Sequence, residues 1–377
     1  MTAAIYVHLP FCVQKCAYCD FVSYPGMLDK RDEYINAVLD EARAQNQKYS
    51  GISAKSVYLG GGTPSLLEPD QINRLIGGLI DIFPPEKDAE ITMEANPGTL
   101  SREKLLAARS AGVNRLSIGA QAAQERLLKL LGRIHTFEEA QAAVALARDV
   151  GFNNISCDLM AALPSQTKEE LEESISLTAA TGAQHISCYS LILEPATRLY
   201  RQVNSGEISE PDEDAACEML LNANHVLDKL GYKRYEISNF AKPGFESRHN
   251  LVYWEGGDYL GLGCAAHSFM NGERFENPAF KSYMEGQRQL SRHYVDTFER
   301  MEETLLLKTR MTSGFSLEDF QNSFGKKAYA ALINEACKSE YAQLISIDNV
   351  FLRFTERGLL VHSALVLRLV EAVEEKY

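Results

Sequence analysis

Alternation between short strands and longer helices limits this chain more than any other feature. Six runs rich in β-branched and aromatic residues, AIYVHL, KSVYLG, EITMEA, RLSIGA, NISCDLM and HISCYSL, recur through the first 230 residues, with helix-length amphipathic stretches between them. The helices are punctuated. Thr136 with Glu139, and Thr167 with Glu170, fit capping boxes, while Gly112, Gly151, Gly182 and Gly231 close helical patterns. Strands that alternate with helices pair in parallel, because each helix carries the chain back across the sheet. The expected class is therefore α/β, with six β/α units in an open or closed sheet. If the sheet closes as a barrel, chemistry belongs on the loops after the strands' C-terminal ends.

The polar motifs fall at those ends. A loop with Cys12, Cys16 and Cys19 follows the first strand, and GGGTPS (60–65) follows the second. EANPG (94–98) ends the third, GAQ (119–121) ends the fourth, and Asp158 lies near the end of the fifth. After about residue 235 the alternation stops. The segment SNFAKPGFESRHNLVYWEGGDYLGLGCAAHSFMNG reads as a long ordered loop rich in glycine, aromatics and histidine. From about residue 295 the chain is helical again and closes with a short two-stranded ribbon and a helix, the pattern of a winged-helix unit. Three parts are expected: 1–235, a connecting segment 236–294, and 295–377.

Net charge narrows the partners. Thirty-eight Lys and Arg against 51 Asp and Glu give −13, and no basic stripe overrides it, so nucleic acid is not expected. The longest apolar runs fall well short of the roughly 18–20 residues of a membrane span. The first residues do not read as a signal peptide, so the expected location is the cytoplasm. Of eight cysteines, five are scattered. In a reducing compartment the remaining cluster of three signals metal or redox work.

C-x3-C-x2-C lets three thiolates converge from one loop. A cubane iron–sulfur cluster takes four ligands, so three sulfurs leave one iron open to a substrate. Zinc would need a fourth ligand, such as His8. Residue chemistry alone leaves both readings open.

At these residues the sequence resembles the radical S-adenosylmethionine superfamily. The resemblance implies a partial (β/α)6 radical-SAM barrel followed by the small winged-helix-like C-terminal domain. It also implies a [4Fe–4S] cluster on Cys12, Cys16 and Cys19, with S-adenosylmethionine on the open iron. Gly61, Gly62 and Thr63 then match the loop that binds the methionine amino end. Tyr6 and Tyr18 match positions packed near the cofactor, and Glu94, Gln121, Arg133 and Asp158 match polar contacts to it. Ala161 and Ala162 depart from the Tyr-Gly usual after the fifth strand. The glycines of GGGTP are expected to let backbone approach the ligand.

Over almost the whole chain the resemblance is to oxygen-independent coproporphyrinogen III oxidase and its relatives. The oxidases carry a longer N-terminal extension and a further cysteine where this chain has Phe21. The haem-chaperone branch carries H-N-x-x-Y-W, present here as His249, Asn250, Tyr253 and Trp254. The resemblance therefore implies haem as a bound group, with His249 on its iron, Asn250 orienting the imidazole, and Tyr253 and Trp254 against the macrocycle. Implied partners are haem and apo-haemoproteins, membrane-bound respiratory enzymes among them, so that the chain would meet a membrane through its acceptor. A homodimer is compatible with this reading. An enzyme that decarboxylates coproporphyrinogen III is the alternative. Cys264 and Ala265, where relatives have smaller residues, are expected to tighten the loop around His267.

Overall fold

A computed structural model describes residues 1–210 and 212–374. All six expected runs are strands: β1 (Thr2–Leu9), β4 (Ser53–Gly61), β5 (Pro85–Ala95), β6 (Arg115–Gln121), β7 (Ile155–Ala161) and β8 (His185–Ser190). They are adjacent in that order and parallel throughout. Between β1 and β4 lies the cysteine loop, where β2 (Phe11–Cys12) pairs with β3 (Tyr24–Pro25). Helices Arg31–Lys48, Pro69–Ile82, Arg102–Ser110, Phe137–Asp149 and Lys168–Ala180 make the crossovers. Both expected capping boxes form, on Thr136 and Thr167.

The two faces of the sheet differ in chemistry. Val57, Leu59, Ile91, Met93, Leu116 and Ile118 are buried in one apolar core. The residues that alternate with them (Ser56, Tyr58, Glu90, Thr92, Glu94, Arg115 and Ser117) form a polar inner face, and all but Tyr58 and Glu94 are among the most buried residues of the chain. A polar interior is unusual for a parallel sheet, and here it lines the partial barrel.

Segment 236–294 is ordered secondary structure, not a long loop. After β9 (Lys233–Arg234), β10 (Asn239–Ala241) runs antiparallel to β8. A seven-residue helix, Arg248–Trp254, follows Ser247, whose Oγ accepts from the Asn250 N–H at 3.4 Å. Next, β11 (Tyr259–Leu262) joins β1 in parallel, and β12 (His267–Met270), β13 (Glu273–Glu276) and β14 (Ser291–Tyr294) extend that edge. Elements of three to seven residues are too short for periodicity to stand out from a loop.

The chain ends in a second apolar core built on Met301, Leu305, Phe320, Leu332, Leu352 and Leu369. The expected ribbon is β16 (Ile345–Ile347) with β17 (Phe351–Phe354), and β15 (Phe315–Ser316) adds a third strand.

Cys264 does not pack around His267. It is buried beside Tyr34, whose hydroxyl donates to the His8 carbonyl at 2.8 Å and accepts from the Cys264 N–H at 2.8 Å. His267 is exposed on β12, 3.5 Å from Glu276. The Tyr34 hydroxyl thus ties the first crossover helix to β1 and to the loop after β11. Tyr34→Phe strands two buried backbone groups and should cost about 1–3 kcal/mol in urea unfolding. A loss below about 0.5 kcal/mol would show that these bonds do not hold the loop.

Candidate functional site

The C-terminal ends of the parallel strands gather most of the expected residues. The cysteine thiols are free and half-buried. Cys12 Sγ lies 3.7 Å from Thr63 Oγ1, and Arg133 donates to Cys16 Sγ at 3.5 Å. Burial pushes the Cys12 thiol up and Cys19 up to about 11, so these two thiols hold their protons until a cation replaces them. Among the described residues, no three His, Cys, Asp or Glu side chains stand close enough to share one metal ion. His8 is no fourth ligand as it stands, because its ring meets the Val22 carbonyl at 2.7 Å and the Tyr6 hydroxyl at 3.1 Å.

Within GGGTP, Gly60 and Gly61 make room for the Glu94 and His8 side chains, and Gly62 brings backbone against backbone. A Cβ on Gly62 would sit 2.6 Å from the Phe11 carbonyl and 2.8 Å from that of Leu9. The Gly62 and Thr63 N–H groups donate to those same carbonyls. The loop therefore clamps the start of the cysteine loop, and its N–H groups are used inside the protein rather than left for an anion.

Arg133 crosses to Gly119, donating to its carbonyl at 2.9 Å, and a Cβ there would meet Gln121 and Arg133. Gln121 itself has a positive φ of 68°, which turns the chain at the strand end. Arg133 Nε and Asn96 Oδ1 are buried without a hydrogen-bond partner among the described residues, and both residues border a small hollow shared with Cys16 and Thr63. Unpaired buried polar atoms beside the thiols are what a polar cofactor would satisfy. Tyr18 is half-buried nearby, its phenol pushed up chiefly by burial.

Asp158 accepts from Ser117 Oγ at 3.1 Å, and burial raises its carboxyl. Glu94 accepts from Tyr58 at 2.8 Å, and burial, with the Asp158 charge adding, lifts it to about 7.

The HNLVYW segment lies at the opposite end. Its helix contacts the N-terminal halves of β4 and β5, where the buried Glu90 carboxylate accepts from the Arg248 and His249 N–H groups at 3.2 and 3.1 Å. His249 is 1% exposed and points into the barrel floor. Its Nδ1 meets Ser56 Oγ at 2.8 Å, its Nε2 meets the Tyr253 hydroxyl at 2.9 Å, and its ring stacks on Tyr58. Burial, with the Arg115 charge adding, lowers it to about 3, so the ring is neutral. No ring nitrogen is left over for iron in this arrangement. Ser56 and Tyr253 orient the imidazole, and Asn250 does not. The Arg310 guanidinium lies 4.3 Å over Trp254, whose Nε1 is buried without a partner among the described residues.

Tyr6 belongs to the barrel interior, 6.2 Å from Tyr58 and 6.4 Å from His249 by ring centroid. Ser56, Tyr58, Glu90 and Arg115 were missed in sequence. Their signal was there: polar residues at every second position of strands that should be apolar on both faces.

Residues 6–178 match the radical SAM superfamily and residues 295–361 the HemN C-terminal domain. The chain is 39% identical to the haem chaperone HemW of Bacillus subtilis, over 85% of this chain and 86% of that one. It is 34% identical to the haem chaperone HemW of Escherichia coli over 98% of each. Among solved structures it superposes on the coproporphyrinogen III oxidase HemN of Escherichia coli, a radical SAM enzyme, with a TM-score of 0.85. That match has 22% identity and covers 97% of this chain and 89% of the other.

The half-buried Glu94 gives a pH test. Because its folded value, about 7, exceeds its ordinary 4.5, the native state keeps a proton that the unfolded chain releases between those values. Glu94 therefore removes stability as pH rises through that window. At about 1.4 kcal/mol per pH unit, Glu94→Gln should gain up to about 3 kcal/mol on the wild type between pH 4.5 and 7.5 in urea unfolding of metal-free protein. A difference between the two that stays flat with pH would show Glu94 to be ionised throughout.

Proposed function

The chain belongs to the HemW family of the radical SAM superfamily, and on that premise we propose that it is a haem carrier that binds haem and hands it to apo-haemoproteins. In this reading the haem site is the helix bearing His249, Asn250, Tyr253 and Trp254. Cys12, Cys16 and Cys19 hold a [4Fe–4S] cluster at the other end of the barrel, beside S-adenosylmethionine. Gly61, Gly62, Thr63, Glu94, Gln121, Arg133 and Asp158 would surround that cofactor, with Tyr6 and Tyr18 behind them. When bound, the pair supplies one-electron chemistry at the open iron. The chain's own residues hold the thiols close, place Arg133 against Cys16, and keep the mouth polar.

The observation that carries the proposal is the separation of the two motifs. The HNLVYW helix is sealed into the barrel floor by Glu90, Ser56 and Tyr253, away from the cysteine loop. A substrate to be oxidised would have to reach the cysteine end, whereas a carried haem would not. We also propose the division 1–235, 236–294 and 295–377, with the middle part supplying the haem motif. The proposed acceptors are apo-haemoproteins, with membrane-bound respiratory enzymes as one class. No described helix is long and apolar enough to cross a membrane, so membrane contact would run through the acceptor.

Anaerobic reconstitution should give about four irons per chain. The triple Cys12→Ser, Cys16→Ser, Cys19→Ser variant should lose that iron and keep its haem titration. Iron retained by the triple variant would sink the cluster assignment. Neither form should turn over coproporphyrinogen III. Protoporphyrinogen IX appearing within two orders of about 1 per second would replace the carrier reading with the oxidase one.

A further inference from the structure

We propose that ferric haem lies in the cleft between the HNLVYW helix and the C-terminal unit, with Tyr253 Oη as the ligand of its iron and His249 as the buried donor that holds the phenolate. This rests on the carrier reading above and deepens it.

The cleft has a volume of about 400 Å³. Tyr253, Trp254 and Tyr259 line one side, and Leu307, Phe320 and Phe324 line the other. Aromatic and aliphatic walls facing each other suit a flat apolar macrocycle. Haem also carries two carboxylates. Arg300 and Lys308 border the cleft, and among the described residues neither has a carboxylate within ion-pair distance, Arg300 acting on the lining Glu303 only at longer range, so both can turn to meet those groups. Arg274, which also borders it, is held by Glu303 at 2.6 Å. Asp319 and Glu255 lie on the rim as well, so the carboxylates are expected on the Arg300 and Lys308 side.

The iron needs a ligand. Among the described residues no imidazole, thiol or thioether lines the cleft. His249 is 1% exposed and spends both nitrogens inside the protein. Tyr253 both lines the cleft and reaches His249 with its hydroxyl. Tyrosine is an established type of haem ligand, and a second group that orients and polarises a ligand is the usual companion of one.

Iron ligation at Tyr253 would set the tautomer, because a phenolate can only accept from His249 Nε2 and Ser56 is then left to donate to Nδ1. The Ser56 hydroxyl is buried, and Nδ1 of His249 is its partner, 2.8 Å away. Ser56 O–H donating to Nδ1 leaves the ring proton on Nε2, which then donates to Tyr253 Oη. On coordination one Fe–O bond forms and the phenolic O–H bond breaks. The proton leaves to solvent through the open mouth of the cleft, and the iron stays ferric. The Nε2–H then bonds the phenolate. The imidazole stays neutral throughout, in keeping with its burial and with the Arg115 charge nearby.

The test is titration of the full chain with ferric haem, followed by absorbance and resonance Raman spectroscopy. The wild type should show a phenolate-to-iron charge-transfer band and an iron–phenolate vibration. Tyr253→Phe, which keeps the ring, should lose both and bind at least tenfold more weakly. His249→Ala should keep the vibration but shift it. The double variant Arg300→Glu, Lys308→Glu changes one exposed and one half-buried cation and should bind at least fivefold more weakly with an unchanged ligation spectrum. An imidazole spectrum that survives Tyr253→Phe and disappears in His249→Ala would overturn the ligand assignment. Normal affinity in both the double-charge variant and Phe324→Asp would place haem outside the cleft while leaving the carrier reading intact. A wild type that binds no haem at all would overturn the carrier reading, and this proposal with it.

Discussion

The arrangement turns on one buried carboxylate. Glu90, on the inner face of β5, accepts from the Arg248 and His249 N–H groups, and Ser247 Oγ donates to it at 3.5 Å. A buried carboxylate is costly unless it is paired and hydrogen-bonded. Here the free N–H groups of a helix start and the Arg115 guanidinium at 3.9 Å provide that. The helix in turn gains an anchor it could not supply itself, since seven residues are too few to be stable alone. Once its first turn is fixed on Glu90, the spacing of a helix does the rest. His249 and Tyr253, four residues apart, fall on one face and meet.

That anchoring gives the barrel two ends with different work. At one end, backbone of the GGGTP loop clamps the cysteine loop, and Arg133 leans on Cys16. At the other, the floor is closed by His249. Between them runs Tyr58, which donates to Glu94 and stacks on His249 at 4.9 Å. Polar side chains fill the space between, with Thr92 Oγ1 and Arg115 Nε unpartnered among the described residues, so the interior is a polar column rather than an apolar core. Such a column specifies its geometry closely, because any member left unpaired in it is costly.

Much of this was legible in the chain. The six strands read true because β-branched runs and glycine-closed helices repeat at regular intervals, and local chemistry decides each of them. The cysteine loop, Gly61 to Thr63, Glu94 and Gln121 fell at strand ends for the same reason, whereas Asp158 sits mid-strand in β7, level with Gly119. The connecting segment was harder. Its helix and strands are short, and they exist because of partners far away in sequence: Glu90 for the helix, β1 for β11, Tyr34 and Glu41 for the loop at Cys264. The role of His249 was harder still. The motif drew attention to an imidazole beside two aromatic rings, but only the fold shows that the imidazole faces inward and a tyrosine lies between it and the cleft. Glycine likewise announced a close approach at residues 61 and 62 without saying what was approached, which is the His8 ring at one and the Leu9 and Phe11 backbone at the other.

The central claim is that cluster and haem occupy opposite ends of one barrel. From Ser56, beside His249, to Gly61, beside the cysteine loop, β4 rises through five residues, about 17 Å at roughly 3.3 Å each. Anomalous scattering at the iron edge from crystals of reconstituted, haem-loaded protein would locate both groups directly. The account predicts a cluster peak at the cysteine loop and a separate haem iron at the far end, more than about 15 Å away. A haem iron within about 10 Å of the cluster, at the same mouth, would contradict it.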